Sequence, residues 1–129
     1  MALHDPVDKT LLRMEARRFA VRCEGQTSSI ERADTLREVA RLATSLILPY
    51  AITDDYTARD ALRQVQTRAE DRARELILEQ IQNFARAEEN QREKLKRAML
   101  DTWANLTGPL AHLRTWAQSK LTAAEQQAR

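Results

Sequence analysis

Apolar residues recur at three- and four-residue spacing along most of the 129-residue chain, the period of amphipathic helices. A first helix is expected from Pro6, where a missing backbone donor costs little, with Asp5 as its cap. Leu12, Ala16, Phe19, Ala20 and Cys23 share one face, and Gly25, tolerant of positive φ, is read as the end of the helix. A second stripe of Val7, Leu11, Met14 and Val21 lies on roughly the opposite side, with Arg13, Arg17, Arg18 and Arg22 between the two. Such a helix can touch two neighbours.

Ser28 and Glu31 have the spacing of a capping box, so a second helix is expected to start there. Its apolar series is Ala33, Leu36, Ala40, Ala43 and Ile47, and Pro49 stops it by disfavouring helical geometry at Leu48. The short connection at residues 25–27 makes the first two helices antiparallel. A third helix follows the 49–53 connector, capped by Thr53, Asp54 or Asp55, and no Gly or Pro recurs before Gly108 and Pro109.

Ala58, Leu62, Val65, Ala69, Ala73, Leu76, Ile77, Ile81 and Phe84 keep the period of this third helix, and Leu95, Ala98, Met99, Trp103 and Leu106 resume it. Only Ala87 is apolar between Arg86 and Lys94. Read as continuous, the helix has about 50 residues and a length of about 75 Å; a break near 88–91 is the competing reading. The last helix carries Leu110, Leu113, Trp116 or Ala117, Leu121 and Ala124, with Thr107 as its cap.

The fold expected is all-α: an elongated bundle of four helices with one long third helix, in a single domain over residues 1–129. Helices one and two would cover half of the long rod, and the last helix would cover the other half alone. Two helices make a thin core. A homodimer burying Leu95, Met99, Trp103, Leu113 and Trp116 in a coiled-coil-like layer is the expected remedy.

Composition agrees with this class. Two Gly and three Pro are too few for the reversals of a β-sandwich, and 43% hydrophobic against 31% charged residues suits helices that bury one face. The 21 basic and 19 acidic residues nearly cancel to +2, so no strong overall attraction to polyanions is implied. A single cysteine, Cys23, and the lack of an apolar run behind a basic start lead to the expectation of a cytoplasmic protein with no signal peptide or transmembrane segment.

Candidate chemistry is sparse. His4 and His112 form no metal-binding pair, Gly25 and Gly108 build no phosphate loop, and no nucleophile stands beside a base in the sequence. Glu70, Asp71, Glu75 and Glu79 alternate with Arg68, Arg72 and Arg74, which reads as solvated pairing rather than a carboxylate metal site. No enzyme, metal or cofactor is expected.

Between residues 9 and 22, Lys9, Arg13, Arg17, Arg18 and Arg22 oppose only Glu15. The leading expectation is therefore a protein–protein interaction module of adaptor, chaperone, inhibitor or effector-localisation type, binding through Leu11, Met14, Val21 and the arginines Arg13, Arg17, Arg18 and Arg22. A second reading adds the basic cluster Arg92, Lys94, Lys96 and Arg97 and makes the chain a nucleic-acid-binding accessory protein. A third has the 46–52 corner, with Leu48, Tyr50 and Ile52, dip into an anionic membrane.

Overall fold

The computed structural model describes the backbone of residues 6–127 and the side chains of residues 9–127. Among them are five α-helices and no strand: α1 (Pro6–Arg32), α2 (Leu36–Thr44), α3 (Tyr56–Arg86), α4 (Glu89–Ala104) and α5 (Leu113–Gln127). Single 3-10 turns at Tyr50–Ile52 and Gly108–Leu110 join α2 to α3 and α4 to α5. The all-α class holds. Asp5, His4 and the Val7 side chain lie outside the described residues.

The first two helices are divided later than the sequence motifs suggest. α1 runs straight through Gly25 to Arg32, and Ser28 and Glu31 cap nothing. A helical glycine costs only about 1 kcal/mol relative to alanine, whereas continuing the helix carries Ile30 into full burial. The hydroxyls of Thr27 and Ser29 donate to the carbonyls of Cys23 and Gly25, four residues back, at 3.0 and 3.2 Å, the usual arrangement inside a helix. The cap is Thr35, whose Oγ1 accepts from the Glu38 amide at 3.2 Å. α2 ends at Thr44, so Ile47 lies beyond it and is exposed rather than in its core.

The third helix is also shorter than the continuous reading. α3 spans 31 residues, about 46 Å, with Asp55 Oδ1 accepting from the Ala58 amide at 3.0 Å as its cap. It stops at Arg86 because Phe84 is the last side chain it can bury, and Ala87 and Glu88 turn extended. Arg92 reaches back to donate to the Ala87 and Ala85 carbonyls at 3.1 and 3.3 Å, satisfying the end of α3. α4 then returns antiparallel to α3, tied by Trp103 Nε1 donating to Gln80 Oε1 at 2.9 Å.

α3 is the spine shared by two layers. Along its first half α1 runs parallel to it, with Arg68 Nε donating to Glu31 at 2.8 Å and Arg72 donating to the Ala33 carbonyl. α2 runs antiparallel to α1, held where Gln26 Nε2 donates to the Leu42 carbonyl at 2.8 Å and to Ser45 Oγ. Along the second half lie α4 and the parallel α5, with Lys96 of α4 paired to Glu125 of α5 at 3.0 Å. Gly108, at φ +57°, takes the left-handed turn that brings the α4–α5 link against Thr44. Thr107 before it is extended and makes no capping bond. A continuous core runs from Ala16 and Phe19 through Ile77 to Leu113 and Leu121.

Candidate interaction surface

The face of α1 turned toward α3 carries Ala16, Phe19, Cys23 and Ile30, all buried. At about 100° per residue, Met14 and Val21 then point directly away from the core, and Leu11 lies beside them. Val21 is 65% exposed, Leu11 56% and Met14 43%. Leu12, expected in the core, is exposed as well, because the first turns of α1 run past the packed part of the bundle.

Among the described residues, no carboxylate lies within ion-pair distance of Arg13, Arg17 or Arg18. Arg22 lies over the Phe19 ring at 5.5 Å. The acid of α2, Glu38, is bonded to Arg41 instead, and that pairing holds its carboxyl below the usual range. The apolar stripe and the arginines expected as a partner-binding set therefore do share one exposed face.

The other sets are divided by the fold. In the 46–52 corner Tyr50 is 96% exposed and its neighbour Ile47 82%, while Leu48 packs on the core and Ile52 is 2% exposed. Two of the three residues expected at the membrane tip thus plug the bundle end instead. Of the second basic cluster, Arg92 caps α3 and Lys96 pairs with Glu125, leaving Lys94 and Arg97 exposed. Met99, Trp103 and Leu113 are buried within one chain, and Leu95 and Trp116 are half-buried. Trp116 is flanked by Arg74 and Lys120, each 5.9 Å from its ring.

Cys23, Glu70, Asp71, Glu75 and His112 are taken up in structural contacts, and Glu79 is exposed. Burial pushes the Cys23 thiol up against the lesser opposing effect of Arg22, which keeps it protonated at neutral pH. Glu70 and Asp71 pair with Arg74, Glu75 pairs with Arg72, and the exposed His112 Nε2 lies 3.7 Å from Glu70. No group of three or more His, Cys, Asp or Glu side chains among the described residues could hold a metal ion. An open groove of about 320 Å³ between α2, α3 and α4 sets Arg37 against Asp34 and Glu79, a lining of mixed sign.

Sequence periodicity alone did not find Ile47, which it placed in the second helix. The signal lay in Ser45, which ends that helix one turn before Pro49. No helix among the described residues is long and apolar enough to cross a membrane. Comparison with known proteins finds no matching family model, no similar curated protein and no similar solved structure.

Proposed function

We propose that this protein is a non-enzymatic interaction module that docks another protein on the outer face of α1. One observation carries the reading: Leu11, Met14 and Val21 stand exposed beside Arg13, Arg17 and Arg18, which have no acidic partner among the described residues. An arginine flanking apolar surface gains most when a partner removes both from water, and arginine is among the residues enriched where proteins meet. The nucleic-acid reading is weakened because Arg92 and Lys96 are engaged within the chain. The setting we propose is the cytoplasm, where a lone buried thiol is under no pressure to pair.

The test is capture from the cells that naturally express the protein, with a photo-reactive residue at position 21 and the adduct sequenced. A discrete adduct lost in the Leu11→Asp/Met14→Asp double variant, with the photo-reactive residue kept at position 21, is the expected result. Both positions are exposed, so the variant's melting curve should match that of the parent. An adduct pattern indifferent to the double substitution overturns the proposal.

A further inference from the structure

The exposed residues of α1 have a finer order than a simple stripe. Leu11, Met14, Arg18, Val21, Gly25 and Ser28 follow one another at alternating three- and four-residue steps, and all six are exposed. That alternation is the a/d pattern of a helix-pairing seam, here facing outward over about 26 Å. Arg17 and Arg22 flank it on its two sides, and Arg18 lies within it. Glu15, on the flank of Arg22, and Glu24, on the flank of Arg17, are the acids beside it, so the three arginines exceed them by one.

We propose that the occupant of this seam is a single acidic amphipathic helix of a partner protein, about three heptads long. Its a/d positions would be apolar, with one carboxylate facing Arg18 and further carboxylates facing Arg17 and Arg22. This deepens the proposed function and rests on it.

Three arguments select that occupant. First, a guanidinium at a seam position is costly to bury unless a carboxylate meets it, and the fork of arginine suits a carboxylate in two-bonded geometry. Second, a strict a/d stripe is narrower than the broad apolar face with which a helix lies on lipid, and here an arginine interrupts it. Gly25 and Ser28 continue it with side chains too small to anchor in a bilayer but well suited to close helix approach. Third, a second copy of this chain carries no carboxylate within its own seam, so Arg18 would be buried against an apolar residue or another Arg18.

The test uses designed 21-residue peptides. One carries Leu at a and d, Glu at one central a position, and Glu at e and g; the other has Lys in place of every Glu. Fluorescence anisotropy should show the acidic peptide binding at least tenfold more tightly than the basic one. The difference should shrink as salt screens it. Val21→Asp should abolish binding, and the Arg17→Glu/Arg18→Glu/Arg22→Glu variant should invert the preference, which a nonspecifically sticky surface would not do.

Equal binding of the two peptides, binding of neither, or acidic-peptide binding insensitive to Val21→Asp overturns the inference. Binding to phosphatidylserine vesicles with no peptide preference overturns it in favour of lipid. If photo-capture at position 21 succeeds while the peptides fail, only the acidic-helix partner falls. If capture ignores the stripe while the peptides discriminate, the docking reading falls instead.

Discussion

Arg72 shows how one side chain can close a junction that the backbone leaves open. Its Nε and Nη2 donate to the Ala33 carbonyl at 3.1 and 2.8 Å, and its Nη1 lies 3.0 Å from Glu75. Ala33 follows the last turn of α1, where carbonyls have lost their helical partners, so the guanidinium caps α1 and fastens it to α3 together. With about a quarter of its side chain exposed, Arg72 is more enclosed than Arg41, whose contact with Glu38 lies within α2 at the surface. Exposed pairs of that kind add little to stability. Arg72→Ala should therefore destabilise the fold by about 1–2 kcal/mol in urea unfolding, at the charged-donor end of single hydrogen-bond contributions. Arg41→Ala should leave the midpoint nearly unchanged. Equal midpoints for the two variants would mean that Arg72 adds nothing to the α1–α3 junction beyond apolar packing and the Arg68–Glu31 pair.

Element boundaries depend on which of several permitted breaks buries more apolar surface. The class, a cap for α3 among Thr53, Asp54 and Asp55, and most core positions from Ala58 to Phe84 were legible, because each follows from local period or local capping; the first two helices do pair antiparallel, but the connection at 25–27 from which that was read is itself helical. The junctions were less so. The same Ser/Thr-x-x-Glu spacing occurs at Ser28–Glu31 and at Thr35–Glu38, and local rules do not say which one ends a helix. The choice is made by Ile30, which only a continuous α1 brings into the core. Likewise nothing between Arg86 and Lys94 demands a turn, but a break there returns Met99 and Trp103 to α3, and local propensity yields to that burial. Of the candidate surface, the stripe was legible and the pairing of its arginines was not: that no described carboxylate meets Arg13, Arg17 or Arg18 depends on where Glu31 and Glu38 end up. Glu88 provides a test by sign. Its φ is −65°, Ala87 before it is extended, and its backbone N–H donates no hydrogen bond, all of which suit proline. Glu88→Pro should stabilise the protein by about 0.4–1 kcal/mol, whereas a continuous helix through this point would lose about 3 kcal/mol.

At the scale of the whole molecule, folding back at Ala87 removes the reason for expecting a dimer. A single rod would have left Met99, Trp103 and Leu113 needing cover, but α3, α4 and α5 bury these residues among themselves. What remains apolar outside among the described residues is the seam of α1, crossed by Arg18, with Leu12, Ile47, Tyr50, Tyr56 and Leu78 scattered apart from it. Two copies meeting through the seam would bury Arg18 without a carboxylate to meet it, and the scattered side chains elsewhere are far short of the roughly 800 Å² that each partner buries in a stable interface. Sedimentation equilibrium at tens of micromolar should therefore return the mass of one chain, 14.8 kDa. The tryptophans give an independent reading of the same geometry. In a Trp116→Phe variant the remaining indole of Trp103, 2% exposed and bonded to Gln80, should emit toward the blue and resist acrylamide at every protein concentration. A doubled mass, or quenching of Trp103 that grows on dilution, would show that the cover over α4 comes from a second copy.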